Sequence, residues 1–372
     1  LKPTDAVYYI HHSRVDSFMI LPAQPAVRIA SVRTAFPDHR VDQRTTIDTL
    51  CQLFPEEDAR FLHKIVRNSG VEERFLVPTV DQVLSSTTFT ERNAAYRVAA
   101  TDLASRAAVD ALEAAEMQAD EVDVIIDVSC TGVSIPALDV ELSRRLGFRP
   151  DVRRIPIAES GCAAGALALG IAGPLAQAGL NVLVVAVELC TLTLCAEDQQ
   201  RANVISSVIF GDGAAAILIV PGVSGPRIEA VGSHLIPGSS DSMGFDIGSH
   251  GLRIQLKKDL PSVLAESLPT VIDTFLNDHG TDRSEIGMHL VHPGGKRILD
   301  GYTDIFGLGA DDLRWSREAL RRYGNLSSAS ILAVIGLAME DQNRPEGDLR
   351  ALVVGVGPGL SIELALLDWE LP

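Results

Sequence analysis

The sequence predicts an α/β fold made of two related halves, each a sheet packed between helix layers. Three observations carry this reading. Segments 122–128, 182–187, 214–220, 352–356 and 362–367 are apolar throughout rather than alternating, as expected of strands that helices cover on both faces. Strand–helix units recur at a nearly constant offset: Glu121 to Glu285 spans 164 positions, Cys162 to Asn325 spans 163, and the strands at 181–187 and 349–356 lie near 169 apart. At both recurrences a small-residue turn, Ser160-Gly-Cys-Ala-Ala-Gly165 or Gly324-Asn-Leu-Ser-Ser-Ala-Ser330, opens an apolar helix.

Taken in order, residues 1–26 read as an irregular N-terminal extension without the basic-then-apolar pattern of a signal peptide. The first half, 27–222, has an Ala-rich helix at 100–116, the strand at 122–128, the turn around Cys162 and strands at 182–187 and 214–220. The loop Pro221-Gly-Val-Ser-Gly-Pro226 marks the seam. The second half, 223–372, repeats the plan with a helix at 262–278, a strand ending at His292, the turn around Asn325 and two final strands.

The 372 residues include 49 acidic and 32 basic side chains, a net charge of −17, with 46% hydrophobic residues. That balance speaks against nucleic-acid binding, which needs a basic surface. An anionic substrate would require a local basic patch. No apolar run reaches membrane-spanning length. The five cysteines (Cys51, Cys130, Cys162, Cys190, Cys195) are odd in number and form no CxxC pair, so neither a disulfide framework nor a zinc site is favoured. A reducing cytoplasm is expected.

Three residues fall at the duplicated turns and strand ends. Cys162 is a candidate nucleophile, because a helix N-terminus favours a thiolate and small neighbours admit an acyl group. A buried structural cysteine is the alternative. His292, before Pro293-Gly-Gly-Lys296, can move a proton or donate to an oxyanion; a plain core histidine is its alternative. Asn325 can donate a hydrogen bond without titrating, or can simply cap its helix. A Cys/His/Asn set suits thioester chemistry. Papain-type hydrolases use the same residue types, but not on duplicated helix starts.

At these residues the chain resembles the thiolase-fold condensing enzymes, most closely the type III polyketide synthases (chalcone-synthase-like). The matching pieces are Gly161-Cys-Ala-Ala-Gly165, Phe210-Gly-Asp-Gly-Ala-Ala-Ala216, His292-Pro-Gly-Gly295, Gly324-Asn-Leu-Ser-Ser-Ala-Ser330 and Gly355-Val-Gly-Pro-Gly359. The resemblance implies a five-layered αβαβα thiolase-like sandwich. It implies Cys162 as acyl carrier, paired as an ion pair with His292, and His292 and Asn325 as the donors that hold malonyl-CoA while carbon dioxide leaves. Phe210 and Ile254 take gatekeeper positions. Cys130, Thr131, Cys190, Thr193 and Ser327 take cavity positions, and Gly357, Pro358 and Gly359 the cyclisation loop. CoA contacts fall on Arg60, Lys64 and Arg67, which share a helix face, and on Gly294, Gly295 and Lys296, with Arg297 beside them.

The stretch Met243-Gly-Phe-Asp-Ile-Gly-Ser-His-Gly251 and Ser327-Ser328-Ala329-Ser330 look most like bacterial members that use fatty acyl starters and make alkylpyrones or alkylresorcinols. They depart from the tetrahydroxynaphthalene-forming pattern. The resemblance also implies a homodimer, acyl-CoA and malonyl-CoA as substrates, and no metal or redox cofactor. Two alternatives remain at this point: a single-condensation ketoacyl synthase III-like enzyme, and a non-condensing chain that binds or hydrolyses acyl thioesters.

Overall fold

A computed structural model describes residues 19–20, 26–85, 88–194, 198–248, 251–343 and 349–369. The first half runs β1 (Met19–Ile20), β2 (Val27–Ala35), β3 (His39–Asp42), α1 (Gln43–Leu53), α2 (Ala59–Arg67), β4 (Glu73–Leu76), α3 (Val80–Leu84), α4 (Phe89–Ala114), β5 (Val124–Val128), α5 (Leu138–Leu146), β6 (Arg153–Ile157), α6 (Ala164–Gln177), β7 (Val182–Leu189), α7 (Arg201–Ile209) and β8 (Asp212–Pro221). The second continues with β9 (Arg227–Leu235), β10 (Met243–Gly248), β11 (Gly251–Leu256), α8 (Leu260–Asp278), β12 (Ile286–Val291), α9 (Lys296–Phe306), α10 (Arg314–Tyr323), α11 (Ala329–Glu340), β13 (Leu349–Gly357) and β14 (Ser361–Trp369).

The duplication is visible in strand order. Outward from the seam, one half reads β2-β8-β7-β5-β6 and the other β9-β14-β13-β12. The orientations match pair by pair: β2–β8 and β9–β14 are antiparallel, β8–β7 and β14–β13 antiparallel, β7–β5 and β13–β12 parallel. The two sheets expected from the sequence touch at one residue pair, Arg28 with Arg227, which joins them into a single path.

Burial explains why the strands read as unbroken apolar runs. On β5, Val124, Ile126 and Val128 face a central core with Leu169 of α6 and Ile331, Leu332 and Ile335 of α11. Ile125 faces an outer core with Leu103 and Ala107 of α4. On β13, Ala351 and Val353 face inward, while Leu352 and Val354 meet Ile272 and Phe275 of α8. Alternate residues thus serve two apolar layers, giving helices, sheet, helices, sheet, helices. The central helices approach closely: a Cβ on Gly165 of α6 would stand 2.1 Å from the carbonyl oxygen of Ser328, just before α11. Glycine there lets the two turns that begin these helices meet.

Helix α4 begins eleven residues before the expected start at 100. Its N-terminus is set by a capping box in which Thr88 accepts from the Glu91 N–H and the Glu91 side chain accepts from the Thr88 N–H. The expected extension 1–26 lies outside the described residues apart from Ala26 and β1, where Met19 and Ile20 pair antiparallel with Val231 and Ala230. Cys195 lies outside them too. No helix among the described residues is long and apolar enough to cross a membrane.

Candidate active site

The Cys162 turn is one tight 3-10 turn, Gly161–Ala163, between β6 and α6. Gly161 has φ +55°, and a Cβ there would lie 2.6 Å from the Pro358 ring. Backbone and space therefore both demand glycine. Through this contact the turn carrying Cys162 rests on the Gly357-Pro358-Gly359 turn of the other half. His292 directly follows β12, its N–H donating to the Val354 carbonyl at 2.8 Å. Its Nδ1 is buried without a hydrogen-bond partner, so Nε2 is the nitrogen left for the cavity.

Asn325 is not a helix cap, since α11 starts at Ala329 with Ser328 before it. Its backbone instead forms a parallel bridge with Phe210: the Asn325 N–H donates to Ile209 at 2.8 Å and the Gly211 N–H to Asn325 at 3.1 Å. The Asn325 Oδ1 accepts from the Ser327 N–H at 2.8 Å and the Ser330 hydroxyl at 3.3 Å. That assigns the amide orientation. The Nδ2 has only a long contact, 3.5 Å to the Gly294 carbonyl, and is free to donate into the cavity.

These side chains converge on one cavity that is open to solvent on one side. Cys162, His292, Asn325, Phe210, Ile254, Thr131, Cys190, Thr193, Ser327, Pro358 and Gly294 all line it. Cys130 was expected on this wall and is not on it. Its thiol lies 3.4 Å from Glu188 Oε1 and 3.5 Å from the Ser327 hydroxyl, because Glu188 draws in every donor around it. Gly357 and Gly359 stand off the lining as scaffold; a Cβ on Gly357 would fall 2.6 Å from the Ala163 nitrogen. Gly295 precedes α9 and lies outside the cavity.

Arg60, Lys64 and Arg67 do share one exposed face of α2, lining a separate open surface groove with His63. Among the described residues none of the three forms an ion pair. Lys296 stands near the end of that helix but adds little charge, because Asp300 pairs with it at 2.5 Å one turn along α9.

Sequence reasoning missed Glu188, which is fully buried and accepts from the Cys130 N–H (3.1 Å), the Thr131 hydroxyl (2.8 Å) and the Ser328 hydroxyl (2.5 Å). A lone charge closing the apolar strand 182–189 was the available signal, since a buried carboxylate must be answered by donors. The β10–β11 hairpin, which carries the Met243–Gly251 stretch and pairs Phe245 with Ile254, adds Met243, Phe245 and Leu252 to the cavity lining; these three were not singled out in the sequence.

Burial pushes the Cys162 thiol up to about 11 and the His292 imidazole down to about 4. Both shifts oppose the ion pair that the resemblance implied, while the helix start at Cys162 favours it. Alkylation of Cys162 by iodoacetamide, followed on its own peptide by mass spectrometry, should rise about tenfold per pH unit between roughly pH 6 and 8. A plateau in that range would show a preformed thiolate.

Two family descriptions match the chain: "Chalcone and stilbene synthases, N-terminal domain" over residues 20–223 and "Chalcone and stilbene synthases, C-terminal domain" over 227–369. A 1,3,6,8-tetrahydroxynaphthalene synthase of Streptomyces peucetius subsp. caesius is 34% identical over 353 residues, covering 92% of this chain and 93% of the relative. A putative chalcone synthase of Bacillus subtilis (strain 168) is 32% identical over 361 residues, covering 92% and 98%. The crystal structure of 1,3,6,8-tetrahydroxynaphthalene synthase from Streptomyces coelicolor A3(2), described as a bacterial type III polyketide synthase, superposes with a TM-score of 0.87 at 32% identity, covering 93% of this chain and 100% of that one. The duplicated sheets, the interlocked Cys162 and Pro358 turns and these matches over both halves agree: the chain belongs to the chalcone and stilbene synthase family, the acyltransferases known as type III polyketide synthases.

Proposed function

We propose that this enzyme loads a medium- or long-chain fatty acyl-CoA onto Cys162, extends it repeatedly with malonyl-CoA, and closes the chain to an alkylpyrone or alkylresorcinol. The observation that carries the starter class is the apolar wall of the cavity that Cys162 lines. Ile205, Phe245, Leu252, Leu256, Leu260 and Leu264 line it, and such a surface suits a hydrocarbon chain.

In this reading the Cys162 sulfur attacks the thioester carbonyl as His292 accepts the thiol proton through Nε2. The CoA sulfur leaves as a thiolate that solvent protonates, so the acyl group ends on Cys162 and His292 keeps the proton on Nε2. Malonyl-CoA then places its thioester oxygen toward Asn325 Nδ2, with His292 donating beside it through that Nε2–H, and the proton returns to the Cys162 sulfur when condensation frees it. The two donors stabilise the enolate as the carboxylate departs as carbon dioxide. The enolate carbon attacks the acyl–Cys162 carbonyl, a carbon–carbon bond forms, and the carbon–sulfur bond to Cys162 breaks.

Arg60, Lys64 and Arg67 hold the CoA phosphates against the net charge of −17, with Gly294 and Gly295 near the thioester end. Residues 27–222 and 223–372 are taken as the two halves, 1–26 as an extension. A homodimer is supported by Val133 and Ile135, 52% and 91% exposed on the loop that follows cavity-lining Thr131; sedimentation equilibrium reads this directly. The reading calls for a cytoplasmic enzyme and for neither metal nor redox cofactor, so turnover should survive chelation and fractionation should place it in the cytoplasm.

The test is a ladder of acyl-CoA starters, from acetyl to hexadecanoyl, with labelled malonyl-CoA. Products should keep the starter's alkyl chain and form fastest with the longer members. Equal turnover from malonyl-CoA alone, giving an aromatic product with no alkyl chain, would overturn the starter assignment.

A further inference from the structure

Arg74 of β4 and Asp212 of β8 are both buried, 6% and 0% exposed, and neither faces the reacting groups. The Arg74 Nη1 donates to the Phe210 carbonyl at 2.7 Å. Its Cβ packs against the two glycines beside the Phe210–Asn325 bridge, 3.3 Å from where a Gly211 Cβ would stand and 3.6 Å from that of Gly324. Asp212 accepts from the Val77 N–H at 2.7 Å, the Thr191 N–H at 2.8 Å and the Thr191 hydroxyl. Thr191 lies in the turn that carries Cys190 and Thr193 to the cavity wall. Arg74 therefore fastens the Phe210 backbone and, through the bridge, that of Asn325, while Asp212 fastens the cavity-wall turn; the two charges attract without an ion-pair contact among the described residues.

A buried arginine and carboxylate demand compensation that apolar residues would not. Burial lowers the Arg74 guanidinium to about 10 even with Asp212 near, and raises the Asp212 carboxyl to about 6. Yet the Arg74 Nε has no hydrogen-bond partner. A clamp kept at that cost acts where position matters, and the nearest positioned groups are the Asn325 amide and the Phe210 ring. Cys162 hangs on a different turn, held by Pro358.

We infer that Arg74 and Asp212 are positioning residues for the malonyl-CoA half-reaction, holding Asn325 and Phe210 across the seam while leaving Cys162 acylation untouched. This rests on the roles given above to Cys162 and Asn325. The experiment compares Arg74→Met and Arg74→Lys with wild type in two assays: the rate of Cys162 acylation by a long acyl-CoA, and malonyl-CoA decarboxylation. Lysine keeps the charge beside Asp212, and so the fold, but lacks the planar fork that fixes the Phe210 carbonyl. In both variants decarboxylation should fall, by on the order of 100-fold in Arg74→Met and less in Arg74→Lys, while acylation stays within about threefold. If Arg74→Met does not fold, Arg74→Lys alone decides. Both rates falling by one factor, or neither falling, would overturn the positioning role. A wild-type enzyme that lacks either activity would instead overturn the reading on which it rests.

Discussion

Cys162→Ala is expected to abolish acyl-enzyme formation and to reduce polyketide output by on the order of 1000-fold or more. Four cysteines are described, and only Cys162 combines a cavity position, a helix-opening turn and a site shared with His292. Cys190 also lines the cavity but is buried with its thiol pushed well up by burial and by Glu188. Cys130 is held the same way, again by burial first and Glu188 second. Neither is expected to take the acyl group in place of Cys162. The fold should be unaffected, since alanine fits wherever cysteine does and the turn is fixed by Gly161 and Pro358. A persistent acyl adduct on another cysteine in the variant, located by peptide mass, would refute the assignment.

Asn325→Ala separates the two half-reactions. Removal of one donor aimed at developing negative charge typically slows the step by 100- to 1000-fold, roughly 3 kcal/mol. Malonyl-CoA decarboxylation should fall by that order. Loading of Cys162 should persist, because the Asn325 amide meets only malonyl-CoA in this account. The substitution also frees the Ser327 N–H and Ser330 hydroxyl that Oδ1 now accepts, so some stability is lost as well. Asn325→Asp controls for this: it restores the acceptor, removes the Nδ2 donor and adds charge where an enolate must form. Decarboxylation should therefore be weaker still in Asn325→Asp. Equal loss of loading and decarboxylation in both variants would contradict separate roles.

The halves were legible because each strand is read by two apolar layers and because the turns at Cys162 and Asn325 repeat in sequence. The convergence of Cys162, His292, Asn325 and Phe210 was legible for the same reason: motif residues at strand ends meet where the halves meet. The clamp was not. Arg74 sits in Glu73-Arg-Phe-Leu76, which reads as an ordinary surface strand, and its partners are 136 or more positions away. Glu188 was hidden because its donors come from Thr131, Cys130 and Ser328, far apart in the chain. The Asp300 partner of Lys296 lies one turn along the same helix, where the spacing in sequence allows it. At Cys162 the sequence shows the helix start but not the burial that pushes its thiol up.

The central claim is that one sulfur carries a chain that grows. The direct measurement is to quench the enzyme during turnover with a long acyl-CoA and malonyl-CoA and weigh the Cys162 peptide. The account predicts a series of adducts on that peptide, the starter acyl group followed by the same group lengthened by one and then more ketide units. A Cys162 peptide that carries only the starter, or none at all while product accumulates, would contradict it.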